Sequence, residues 1–277
     1  MKVVFGVILS FLLFATPAMA ENMLLDGAMD ADIRFSMTQT IGNGNHARNL
    51  SISFVVPQSY SSPTYSQSVS NYQLNLSPNP DTRSTSTDSR GNKIISCSWK
   101  QPPSNINVQV SFNARAGTML REITSTASFP VTNVPADVRP YLDPTAQVQS
   151  NDQKILSLSR QLASGAKSQF DVVQAVLSYV VDNVRYVNPP QEYDALYSLQ
   201  TGRGNCQNFS HLAAALMRAQ GIPVRIVNGI TIDRDWEVRT DSSIRRFKMA
   251  RGRHSWIEVW FPDLGWVPVD PQETMLF

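Results

Sequence analysis

The chain is poor in cysteine and histidine and nearly neutral: two cysteines and three histidines stand among 277 residues, and the net charge is +2. So small a positive balance gives no footing for nucleic acid or an anionic membrane surface. No long block of like charge and no low-complexity repeat occurs. No spacing of His, Cys or acidic residues fits a zinc or calcium site, so neither metal nor cofactor is implied. Two cysteines permit one disulfide at most. In an oxidising compartment Cys97 and Cys206 are able to pair, and pairing would disable either as a nucleophile. What is present is an ordinary globular balance, 42% hydrophobic and 17% charged, in a length that suits one or two domains.

The first twenty residues are the apolar exception. Lys2 precedes a run at 3–14 broken only by Gly6 and Ser10, and Ala18-Met19-Ala20 fits a small-x-small cleavage site. This predicts a secretory signal peptide over 1–20 and a mature chain beginning at Glu21, periplasmic or secreted. The run is short for a membrane span, and no other stretch is long and apolar enough to be one, so stable membrane insertion is not expected.

From 33 to 131 the pattern is strand-like. "IRFSMTQTI", "NLSISFVV", "NYQLNL", "KIISCSW" and "NINVQVSFNARA" alternate apolar and polar residues between turn signals. They predict an antiparallel β-sandwich over 21–145, with Cys97 a buried core thiol and the Pro- and Ser-rich stretch 57–68 a loop. His46 falls in a polar turn and reads as a surface histidine. A proline-rich junction follows, "FPVTNVPADVRPYLDPTAQVQS", either a linker or an extended segment packed between domains. The sandwich itself reads equally as spacer, recognition surface or wall of a site.

At 151 the period changes to helical. Asp152 is placed to cap a short helix carrying Ile155, Leu156, Leu158 and Leu162, ended by Gly165. Ser168 caps the next, whose valines recur near 3.6 spacing. Then comes "TGRGNCQNFSHLAAALMRAQGIPVR". Gly202 and Gly204 allow a tight turn with positive φ. Asn205 is a good N-cap, and Cys206 falls at the first helical position. Phe209, Leu212, Ala213, Leu216 and Met217 make one apolar stripe, predicting a helix buried along one side. A helix N-terminus favours thiolate, which makes Cys206 a candidate nucleophile.

A thiol so placed still wants a base. His211 lies five residues on along the same helix, about 140° around it, and cannot easily face the sulfur. His254 stands on a predicted strand in which His254, Trp256, Glu258 and Trp260 alternate with Ser255, Ile257, Val259 and Phe261, both faces substantial. The next strand, "GWVPVDP", ends at Asp270, which can orient a histidine if "PDLG" makes the hairpin turn. Between the Cys and His strands, 233–253 holds seven cations and four acids, a charged hairpin, a cover for the site, or a selector of acidic substrates.

The ordered set "GRGNCQNFSHLAAALMRAQGIPVR", "HSWIEVW" and "GWVPVDP" resembles the transglutaminase-like superfamily over about 150–277. The resemblance implies an α+β papain-like domain over 146–277, with the nucleophile at a helix N-terminus packed on an antiparallel sheet. It implies Cys206 as nucleophile, His254 as base and acid, and Asp270 as orienter. The implied chemistry is acyl transfer on glutamine carboxamides or peptide bonds of a protein or peptide substrate: transamidation, deamidation or proteolysis. Gln200, with the spacing of a papain-type glutamine, and Tyr186 are candidate oxyanion donors, and Trp256 is a candidate cleft residue. Each is equally at home in a structural role. The chain departs from the pattern at Gln207, where many relatives are acidic, and it stops at Phe277 where relatives often add strands, so either a short sheet or a chain incomplete at its C-terminus is expected. The alternative is an envelope protein of the same fold that binds without turnover.

Overall fold

The computed structural model describes residues 27–42, 47–120, 123–231, 235–239, 244–248 and 252–272. The expected leader and His46 lie outside them.

Alternation carries the N-terminal half. Strands β1 (Gly27–Gly42), β2 (Asn49–Val55), β3 (Tyr60–Ser61), β4 (Tyr65–Ser77), β5 (Thr82–Thr87), β6 (Lys93–Lys100) and β7 (Asn105–Leu120) form two antiparallel sheets, in the orders β1-β7-β4-β3 and β2-β6-β5. Their inner faces share one core. Ile106, Val108 and Val110 meet Leu74 and Leu76 from the first sheet and Ile95, Cys97 and Trp99 from the second. This is the expected α+β chain with an N-terminal antiparallel sandwich. Strand β5, "TRSTST", is exposed at every position. It has no apolar face to give a period-two signal, and only pairing with β6 makes it a strand. Strands β3 and β4 likewise take up part of the stretch expected to be a loop.

The second half builds a separate core. Helices α1 (Gln153–Leu162), α2 (Gln169–Asn183), α3 (Ala195–Thr201) and α4 (Cys206–Arg218) pack with a three-stranded antiparallel sheet, β10-β13-β14. Its strands are β10 (Val224–Thr231), β13 (Gly252–Phe261) and β14 (Gly265–Val269). Strands β8 (Arg185–Tyr186) and β9 (Arg203–Gly204) form a short parallel pair, and β11 (Asp235–Arg239) and β12 (Ile244–Lys248) form a hairpin. The caps fall where the side chains allow. Asp152 accepts from Lys154 N–H, and Ser168 and Asp171 make a capping box, each satisfying a donor that the first turn leaves unpaired.

Helix α4 is more deeply set than one apolar stripe requires. Phe209 and every residue from Leu212 to Met217 are 1% exposed or less. The run Ala213–Ala215 presents so little bulk that α1, α2, α3 and the sheet can close around it. The one-sided burial read from the sequence is thereby corrected. The junction is the packed alternative. Val148 joins the second core, and Phe129 and Val131 lie against it.

Candidate active site

The turn before α4 is held from both sides. Arg185 N–H donates to Gly202 O and Val187 N–H to Gly204 O, each at 2.8 Å, so β8 fixes the approach to Cys206. Gly202 has φ +63°, in the left-handed region expected of it. Gly204 does not, and its requirement is spatial: a Cβ there would lie 2.2 Å from the Cβ of Asn208. Asn208 is fully buried. Its amide oxygen accepts from Asn205 N–H at 3.1 Å, and its Nδ2 donates to the carbonyls of Glu192 and Asp194. Asn205 caps the helix by accepting from Gln207 N–H at 3.0 Å. Cys206 is therefore the first residue of a helix whose start is pinned by a reciprocal cap, with its own N–H free of any intrahelical partner.

Antiparallel pairing brings the base and its orienter to the cysteine. Strand β13 pairs β10 with Gly229 opposite His254, and pairs β14 with Ile257 opposite Val269, which sets Asp270 at the end of that ladder. His254 Nε2 lies 2.5 Å from Asp270 Oδ2, with the side chains 8% and 0% exposed. That leaves Nδ1 as the nitrogen for the thiol, to which His254 is also hydrogen-bonded. The Ser255 and Gln207 N–H groups lie near enough to the Cys206 sulfur to favour its thiolate as well. Burial pushes the thiol up, but the His254 hydrogen bond, the Ser255 N–H and the imidazolium charge together bring it below its ordinary value. Burial pushes the imidazole down, yet the Asp270 and Cys206 hydrogen bonds raise it to about 9. Thiol down and imidazole up is the condition for a thiolate–imidazolium pair near neutrality.

The other named residues part company. Tyr186, 52% exposed, stands beside the sulfur; burial and then the Cys206 charge raise its phenol. Trp256 stacks on the imidazole, with centroids 6.1 Å apart and planes at 26°. It occupies the space over Gly229, where a Cβ would come within 2.4 Å of the indole. Gln200 is not drawn into this group. It is exposed on α3, in a cleft of about 810 Å³ shared with Gln153, Lys154 and Ser157 of α1. A spacing along the chain could not reveal that α3 intervenes. His211 is also elsewhere, with Nδ1 2.5 Å from Tyr193 O. Ser255 and Asn208 were missed in the sequence. One acts through its backbone and the other as a buried capping amide, and neither residue type signals such a role. Both cysteines are free, and Cys97 lies in the sandwich core. Among the described residues no group of three or more His, Cys, Asp or Glu could hold a metal, and no helix is long and apolar enough to cross a membrane.

Comparison with known proteins follows this geometry. Residues 156–271 match the model of the transglutaminase-like superfamily. Uncharacterized protein YebA of Bacillus subtilis is 30% identical over 127 residues, 43% of this chain and 17% of that protein. Uncharacterized protein ML0607 of Mycobacterium leprae is 29% identical over 133 residues, 47% of this chain and 44% of that one. The chain thus spans less than half the length of either relative. Among solved structures, a candidate cysteine protease from Cytophaga hutchinsonii superposes with a TM-score of 0.65 at 18% identity, covering 90% of this chain and 78% of that chain. At that identity the likeness concerns the fold, and it extends through the sandwich. The stretch that matches the transglutaminase-like superfamily is the one that carries Cys206, His254 and Asp270.

Proposed function

We propose that the chain is an exported thiol-dependent acyl-transfer enzyme acting on glutamine carboxamides or peptide bonds of a protein or peptide substrate. The observation that carries this reading is the row Cys206–His254–Asp270, buried at its acidic end and closed by the 2.5 Å His254–Asp270 contact. The Cys206 thiolate attacks the carbonyl carbon, and the tetrahedral oxyanion meets the free Cys206 N–H at the helix start. The His254 imidazolium protonates the departing amine or ammonia, leaving a thioester on Cys206. Neutral His254 then takes a proton from an incoming amine or water, whose attack releases the acyl group and restores the thiolate. Asp270 holds the imidazole orientation through both halves. Tyr186 and Trp256 flank this centre and supply its rim. Export to the periplasm or beyond follows from the leader read in 1–20.

The test is a glutamine-containing peptide library offered with a primary-amine probe, read by mass spectrometry for amine incorporation, ammonia release and chain cleavage. A thioester on Cys206 and at least one of these products, all lost in Cys206→Ala and His254→Ala, are expected. Products that persist in Cys206→Ala would contradict the reading, and an inert wild type would leave a binding protein of the same fold.

A further inference from the structure

The proposed chemistry gives the β-sandwich no task, yet one of its side chains is built into the sheet that carries His254. Tyr60, on β3, lays its ring 5.0 Å from Cζ of Arg225, and Trp266 of β14 stands 4.5 Å from the same atom. Arg225 donates through Nε to Glu258 Oε2. The Glu258 side chain is 4% exposed and that of Arg225 24%. A charge pair so enclosed keeps its strength only while water is kept out, because the attraction weakens as the surroundings become more polar. The neighbours register this closure. Burial raises the Glu258 carboxyl against the pull of Arg225, and burial followed by Glu258 pushes the Tyr60 phenol up to about 12. Tyr65 is a further titratable group raised by burial and then by Glu258; its hydroxyl donates to Gln67 Oε1 at 2.8 Å. A second contact joins the same corner, where Tyr141 meets Trp266 edge-on at 5.0 Å and carries Arg90 over its ring.

The ladder connects this corner to the catalytic centre. Arg225 pairs Glu258, Val227 pairs Trp256 and Gly229 pairs His254, alternate rungs that share one face of β10 and β13. Trp256 is the wedge in that row, stacked on His254 and fitted over Gly229. We infer that Tyr60 is a positioning residue for His254: the sandwich seals the Arg225–Glu258 pair, and the row Glu258–Trp256–His254 carries that seal to the imidazole. The sandwich is on this account one wall of the catalytic machinery. The inference rests on the acyl-transfer reading for the meaning of His254, though its test does not depend on turnover.

The test is an NMR titration of the His254 ring in the full chain, compared among wild type, Tyr60→Phe, Tyr60→Ala and Trp266→Leu, with hydrogen exchange of α4 as the folding control. The wild-type ring is expected to titrate near 9. Tyr60→Phe, which keeps the stacking face, should match it. Tyr60→Ala and Trp266→Leu should each lower it by about 1 pH unit, as the contacts to Asp270 and Cys206 lengthen. A folded Tyr60→Ala with an unmoved titration overturns the inference and leaves the acyl-transfer reading standing. Should Tyr60→Ala fail to fold, an unmoved Trp266→Leu overturns it equally. A wild-type ring titrating at the ordinary value near 6.5 overturns the acyl-transfer reading itself.

Discussion

Cys97 and Cys206 are the same side chain in two settings. Cys97 sits on β6 in the sandwich core at 1% exposure, and burial raises its thiol against a weaker pull from Arg83. Cys206 also suffers burial as its largest effect, yet its thiol is lowered. Desolvation acts in the same direction at both sites and so cannot separate them. The difference lies in donors around the sulfur of Cys206: a histidine raised by Asp270, the Ser255 N–H of β13 and the Gln207 N–H at the start of α4.

The largest effect expected from breaking this contrast is on catalysis. Cys206→Ala should reduce acyl transfer by about 10⁴-fold or more. Cys97→Ala should leave the rate intact and cost roughly 1 kcal/mol in urea denaturation, the ordinary price of a small core deletion. Next is the base and its orienter. Asp270→Ala should lower kcat by about 10²-fold, and the His254 titration should move down toward its ordinary value. Smaller is Gly204→Ala, which forces a Cβ into Asn208 and should destabilise the chain by about 1–3 kcal/mol while slowing Cys206 alkylation. The smallest is a matter of pH. The folded His254 value of about 9 lies above its unfolded value near 6.5, so its contribution to stability is complete below 6.5 and is lost as pH rises through 9. The gap in urea midpoint between wild type and His254→Gln should therefore shrink over that window.

The same contrast shows where the sequence was readable. Local chemistry marked the capped starts of α1, α2 and α4, the left-handed turn at Gly202, and the strands of the sandwich that bury one face. The order of cysteine, histidine and aspartate was legible because Cys206 and His254 stand on regular elements and Asp270 directly follows one. What escaped depended on contacts distant in the chain. The exposed strand β5 exists through its partner, Gly204 is required by Asn208, and α4 is buried on more than one side because α1, α2, α3 and the sheet pack around it. Gln200 is another such case, since its spacing to Cys206 said nothing of the cleft it shares with α1. The Tyr60–Arg225 contact spans the two halves of the chain and left no mark in either.

The central claim is that Cys206, and not Cys97, is activated by its surroundings. Its most direct test is the rate of iodoacetamide labelling of each cysteine in the folded protein across pH, mapped by mass spectrometry. Cys206 is predicted to label rapidly with a midpoint below the ordinary thiol value of about 8.5, in a manner lost in His254→Ala, while Cys97 stays unlabelled. A Cys206 that labels with an ordinary midpoint, or is as protected as Cys97, would contradict the account.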